Sequence, residues 1–307
     1  MEPEFVSSFE AWESYTASQS SRFARLSKAK VTRYENMEEL IIERGRSERT
    51  YWRDLWRFRE LLYFLAYRDI LVRYKQTVIG VAWVLIRPAL TMTIFVAFRR
   101  MTNIASTQVP DPILVYSALL PWQFFSMALS EASNSLINNA NLVSKVYFPR
   151  LLVPASAVVT SLVDFAVSLG LLALLMLWYR LTPGWQLLVL PLLALLTFVL
   201  SIGSGLLLAA LNVEFRDFRY VVPFIVQFGL FVSPVAIETS KIPERWRLLY
   251  SLNPMVGIID AFRWAVTGGR TLIDPSTLWL SVGITLLLLL LGGWYFRRTE
   301  RGFADVI

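Results

Sequence analysis

The chain is a broken string of apolar segments, each about as long as a bilayer is thick. A hydrocarbon core of ~30 Å is crossed by a helix of ~20 apolar residues. Runs of that kind lie near 78–98, 113–133, 152–178, 187–211, 220–237 and 276–296, behind a charged, aromatic-rich stretch of roughly 75 residues. Mean hydropathy is +0.50, and 55% of the 307 residues are hydrophobic. Helices that are apolar on every side need lipid or a very large core around them. The pattern predicts an all-α polytopic membrane protein with six transmembrane helices.

Composition removes several chemistries. There is no cysteine, hence no disulfide and no thiolate metal site. Histidine is also absent, and with it the usual general base, zinc ligand and pH switch. No paired carboxylates and no HExxH-like spacing occur, and no Gly-Lys dipeptide is available for a phosphate-binding loop. The net charge of +7 gives no support for nucleic-acid binding by itself. In so apolar a chain, basic excess fits cytoplasmic loops facing anionic lipid. Residues 1–50 are polar and mixed in charge, without the apolar core of a signal peptide. They read as a cytoplasmic extension, Ser/Gln-rich at 18–21 and helical near 35–46.

With the N-terminus inside and six spans, the inside segments are 1–77, 134–151, 212–219 and 297–307. They hold 21 of the 30 lysines and arginines, which predicts cytoplasmic N- and C-termini. Five of the eight outside cations fall in 238–275: Lys241, Arg245, Arg247, Arg263 and Arg270. That segment is too long for a turn and too charged for a span. A re-entrant hairpin before the last span fits it, since irregular backbone is tolerated where protein buries it. A plain external loop is the alternative.

Residues 51–77 place Arg53, Arg57 and Glu60 on one helical face, with Trp52, Leu55, Trp56 and Leu62 on the other. This predicts an amphipathic helix at the membrane surface. Arg87 stands about ten residues into the first span beside Pro88, and Asp164 stands in the middle of the third. Charge at such depth is expensive, so each needs protein, water or a partner around it. Arg87 is one candidate partner for Asp164; a hydroxyl or backbone group is another. Tyr116, Trp122 and Phe125 mark the second span, and Phe224, Phe228 and Phe231 share one face of the fifth. Such stripes serve packing, lipid contact or a sugar conduit. The small residues 201–205 and Gly292-Gly293 predict close helix crossings. The loops 134–150 and 212–220, with the surface helix, form a possible docking face on one side.

Five stretches carry a resemblance: RELLYFLAYRDILVRYKQTVIGVAWVLIRPALTM (59–92), LLPWQFF (119–125), KVYFPRLLVP (145–154), LNVEFRDFRY (211–220) and VSPVAIETSKIPERWRLLYSLNPMVGIIDAFRWAV (232–266). From about Tyr51 onward the chain resembles the permease subunits of ABC exporters for O-antigen, capsule and teichoic-acid polysaccharides. The resemblance implies a permease homodimer in the bacterial inner membrane, with two copies of a separate ATP-binding subunit beneath it. ATP and magnesium would bind there, and this chain would hold no cofactor. A lipid-linked polysaccharide would be the substrate, with membrane lipids around the complex. It also implies a conduit lined by Trp83, Tyr116, Trp122, Phe125, Phe224, Phe228 and Phe231, and ATPase docking through Arg53, Arg57, Lys145, Tyr147 and Arg150. A permease for a drug or another lipid is the alternative; a membrane glycosyltransferase would need carboxylates less scattered than Asp111, Glu238, Glu244, Asp260 and Asp274. The external arginines depart from the charge rule, and bind lipid phosphate or an anionic glycan, or cap short helices.

Overall fold

A computed structural model describes residues 48–75, 82–102, 109–235 and 238–303. Among these all regular structure is helical. The chain divides at Thr50 into two units. The extension expected over 1–50 is described only from residue 48, and the helix expected near 35–46 lies outside the described residues.

The surface stretch forms two helices, α1 (Glu48–Arg57) and α2 (Arg59–Lys75), with Phe58 as the turn between them. The amphipathic pattern that fades after Glu60 changes at that break. Then come α3 (Ala82–Met101), α4 (Asp111–Asn138), the short α5 (Ala140–Lys145), α6 (Leu152–Trp178) and α7 (Leu190–Glu214). They are followed by α8 (Phe218–Val232), α9 (Glu244–Ser251), α10 (Pro254–Val266) and α11 (Pro275–Thr299).

Among the described residues five helices are long and apolar enough to cross a membrane: α3, α4, α6, α7 and α11. In the fifth expected span, 220–237, the described residues form the 15-residue α8. At ~1.5 Å per residue, a helix of that length rises about 22 Å. The segment 238–275 contains α9 and α10, of 8 and 13 residues, each too short to cross.

An apolar cluster and a set of ion pairs mark the two ends of the bundle. Leu65 of α2, Leu136 of α4, Leu152 of α6, Val213 of α7 and Phe296 of α11 meet in one cluster, which defines the proximal end. At the distal end, Arg99 of α3 meets Asp111 of α4 and Glu238. α8 and the residues after it therefore carry the chain from the proximal end of α7 toward the distal end. α4 is the central helix, packed against α3, α6, α7, α8 and α10. Its most apolar window is 72% buried, against 17% for α3.

Local rules set the helix ends. Asn253 accepts a hydrogen bond from the Met255 amide (3.0 Å) ahead of Pro254, and Asp274 accepts one from Ser276 (3.0 Å) ahead of Pro275. Both are side-chain caps followed by proline at the first turn. Hydroxyls inside the spans bond their own helix one turn back, as Thr160 to Ser156 O (2.9 Å) and Thr197 to Leu193 O (2.9 Å). No polar group is left facing hydrocarbon by them.

The small residues serve packing within one chain. A Cβ on Gly203 would lie 2.6 Å from the backbone of Leu289, and one on Gly292 would enter the backbone of Gly203. α7 and α11 cross there nearly backbone to backbone, whereas Gly293 and Gly283 face open space. Gly203→Val is expected to lower the thermal midpoint of the detergent-purified protein, since overpacking costs about 1–3 kcal/mol. Gly283→Ala is expected to leave it unchanged; equal midpoints for both variants would remove the crossing.

Candidate transport cavity and partner face

α2 ends on Arg73 and Tyr74, and α6 carries Asp164 at mid-helix. These meet although 91 residues separate Arg73 from Asp164. Arg73 donates to Asp164, and its other terminal nitrogen reaches Glu131 of α4 at 3.0 Å. The Tyr74 hydroxyl donates to the second oxygen of Asp164. Burial and the neighbouring carboxylate push the Tyr74 phenol well above its ordinary range, so it stays a donor. The buried Asp164 carboxylate is thus satisfied by a guanidinium and a phenol from the surface helix. Arg87 is not its partner, which corrects that pairing.

This cluster forms one wall of a cavity of about 620 Å³ between α2, α3, α4, α6 and α8. Gln123, Ser126 and Ser130 of α4 add polar groups, and Pro88, Leu120 and Phe165 add apolar ones. Arg87 lines the same cavity, with its guanidinium 6.0 Å from the centre of the Trp83 ring. Among the described residues it forms no ion pair. The cavity therefore has both carboxylates engaged with Arg73 and a second arginine, stacked on an aromatic, facing open space.

Of the seven aromatics expected to line a conduit, Trp83 alone borders this cavity. Tyr116 is sealed in the core and donates to the Ser168 carbonyl at 3.0 Å. Trp122 is buried against α8, where a Cβ on Gly229 would run into its ring. These two are packing residues, a correction that follows from the central place of α4. Phe125 is half-buried, 5.9 Å from Trp122. Phe224, Phe228 and Phe231 stand exposed on α8, and the first two stack at 5.7 Å. With Ile86, Leu90 and Ile94 of α3, they leave two helix faces exposed among the described residues.

At the proximal end, Leu55, Phe58, Leu61 and Leu62 pack on the apolar cluster, with Val143 and Phe148 of the α4–α6 connection in the same cluster. Arg53 and Arg57 of α1 are exposed, as are Lys145 and Tyr147 of the loop. The fold thus brings α1, α2 and that loop to one end. Arg150 is different: it is half-buried and donates to the Glu300 carbonyl at the end of α11. Its guanidinium caps a helix C-terminus, where positive charge is favoured, so it is not a free docking residue in this structure. Arg68 adds a second tie, donating to Asp69 (2.7 Å) and to Asn139 (2.8 Å) beyond α4.

Sequence reasoning missed Arg73, Tyr74 and Glu131. It also treated the external carboxylates as scattered. The structure pairs Asp111 with Arg99 at 3.1 Å, Glu238 with Arg99 at 3.5 Å, and Asp260 with Arg263 at 3.2 Å. The i,i+3 spacing of Asp260 and Arg263 was a signal available in the sequence; nothing local linked Arg99 to Glu238.

An integral membrane bundle with a polar cavity among its spans and an uncovered basic-aromatic end has the build of a transport subunit. The chain belongs to the ABC-2 type transporter family, whose profile matches residues 60–267. It is 29% identical over 258 residues to the O-antigen export system permease protein RfbA of Myxococcus xanthus, covering 83% of this chain and 98% of that one. The RfbA of Klebsiella pneumoniae is 24% identical, over 81% of this chain and 95% of its own length. The polysialic acid transport protein KpsM of Escherichia coli is 24% identical, over 76% and 91%.

The two intramembrane charges should separate on mutation. Asp164→Ala leaves Arg73 and Tyr74 facing an empty place, and removing one partner of a buried pair costs roughly 3–5 kcal/mol. Membrane yield is expected to collapse for Asp164→Ala and to stay normal for Arg87→Ala, with transport lost in the latter. Normal yield for Asp164→Ala would show that the cluster does not hold the fold.

Proposed function

We propose that this chain is the membrane-spanning permease of an ATP-driven exporter that moves a lipid-linked polysaccharide across the bacterial inner membrane. The observation that carries the reading is its alignment along nearly the whole length of O-antigen export permeases, 98% of one and 95% of another. The names of the relatives favour a glycan over a drug.

In this reading two copies of the chain enclose the conduit, with the uncovered faces of α3 and α8 turned toward each other or toward the passage. A separate ATP-binding subunit, in two copies, carries ATP and magnesium and docks on the proximal end. That end is cytoplasmic, as are both chain termini. Arg53 and Arg57 of α1 and Lys145 and Tyr147 of the loop supply the docking contacts. A push on α1 and α2 passes through Arg73 and Tyr74 into α4 and α6, because those side chains are held by Glu131 and Asp164. Arg87 and Trp83 then offer a cation and an aromatic face to the cargo in the adjoining cavity. Trp83 provides a stacking surface for a sugar ring, and Phe224 and Phe228 provide another.

Depletion of the protein in its own cell tests the function. Long-chain glycan is expected to vanish from the surface and to accumulate inside, seen by labelling before and after permeabilisation. Unchanged surface glycan would overturn the cargo assignment. For the docking face, Lys145→Glu with Tyr147→Ala is expected to abolish co-purification of the ATP-binding subunit while the permease keeps its thermal midpoint. Undiminished co-purification would remove the loop from that face.

A further inference from the structure

The distal end holds a second cavity, of about 760 Å³, bordered by α9, α10, the turn after α10 and the start of α11. Its charged side chains are not equivalent. Asp260 is engaged with Arg263, and Glu238 with Arg99. Asp274 accepts from the Ser276 amide (3.0 Å), the Ser276 hydroxyl (2.7 Å) and the Thr277 hydroxyl (3.2 Å). Its carboxyl is held below the usual range, chiefly by the Ser276 hydroxyl bond. The three carboxylates that line the cavity thus all have donors.

The arginines do not all have acceptors. Arg263 is fully committed: besides Asp260 it donates to the Pro234 carbonyl at 2.5 Å. Arg247 makes one long bond, 3.4 Å, to the Ile242 carbonyl, and its buried Nε has no partner. Arg270 is exposed and follows a turn in which Gly268 and Gly269 both have positive φ, 66° and 83°. Among the described residues it makes no side-chain hydrogen bond and no ion pair. A buried donor left unmade is costly, and Arg247 and Arg270 both border this one cavity. A guanidinium offers parallel N–H groups that match an oxyanion two oxygens at a time. One such fork satisfies a carboxylate; a phosphate has oxygens for two. The volume falls within the ~300–1,000 Å³ range of ligand pockets, well above a bare anion. Val109, Leu114, Leu272 and Ile273 give it an apolar side.

We propose that this distal cavity binds a phosphate group between Arg247 and Arg270, carried by a lipid headgroup or by a soluble phosphorylated ligand. The site shares no lining residue with the cavity beside Asp164, and its chemistry does not depend on the identity of the exported cargo.

The full-length chain, purified and delipidated in detergent without an ATP-binding subunit, is titrated by calorimetry. The probes are inorganic phosphate, dihexanoyl phosphatidic acid and, as the uncharged control, dihexanoylglycerol. Phosphatidic acid is expected to bind and dihexanoylglycerol not to. Each guanidinium removed, in Arg247→Gln or Arg270→Gln, should weaken binding roughly tenfold or more, as a hydrogen bond to a charged group does. Inorganic phosphate binding as tightly as phosphatidic acid identifies a soluble phosphate ligand; much tighter phosphatidic acid identifies a lipid headgroup. Both results uphold the site. Absence of phosphate-dependent heat, or equal affinity in wild type and both variants, overturns it. Arg270→Gln alters an exposed side chain, so the test stands even where the Arg247 change disturbs α9.

Discussion

One buried carboxylate organises the proximal half of this molecule. Asp164 sits at mid-span in α6, where an unpaired charge costs at least ~2.5 kcal/mol. Its partners arrive from outside the bundle, on the last turn of α2. Because the same guanidinium also reaches Glu131 of α4, three helices share one ionic knot. The surface helix cannot swing away without leaving a carboxylate stranded in the membrane. That constraint makes α2 part of the transmembrane body. It gives a physical route by which force applied at the proximal end reaches the central helix.

The distal end meets the same electrostatic problem in another way. There the charged groups are numerous, and Arg99 and Arg263 are neutralised by Asp111, Glu238 and Asp260. Arg99 and Arg263 are among the largest fully buried side chains. Arg99 ties the end of α3 to the start of α4, and Arg263 ties α10 to the backbone at Leu114 and Pro234. Between the two ends, hydroxyls bond back to their own helices and glycines let α7 and α11 touch. The spans themselves therefore need few interhelical polar bonds, consistent with their modest average worth in a bilayer. Asn212, donating to the Ser133 carbonyl at 2.9 Å, is an exception that joins α7 to α4.

The sequence made the helical class legible because hydrophobic length is a local property. The need of Asp164 for a partner was legible too, since the cost of a buried charge depends only on depth. Which partner it takes was not: Arg73 lies beyond any helical periodicity, and Arg87 was nearer in span order. Tyr116 and Trp122 were misplaced for a related reason. An aromatic in an apolar run has the same local signature whether its helix is central or peripheral, and only assembly makes α4 the centre. Arg150 looked like a free basic loop residue until the end of α11 was placed beside it. The break at Phe58 carried a faint signal, the loss of face separation after Glu60.

Arg87 is the sharpest argument about what covers α3. The helix is the least buried of the five long ones, and Ile86, Leu90, Ile94 and Phe98 would sit comfortably in lipid. Arg87 would not. Among the described residues it has an aromatic ring beneath it and no carboxylate partner, and stacking on Trp83 is worth about 0.5–1 kcal/mol at an exposed site. That falls short of the cost of a guanidinium in hydrocarbon. A lipid-only environment for this part of α3 is therefore the expensive arrangement. Water, a second protein surface or an anionic cargo removes the penalty, and each requires that the cavity beside Asp164 open onto something other than acyl chains. The position of one arginine thus argues for water, protein or an anion, rather than acyl chains alone, beside this part of α3.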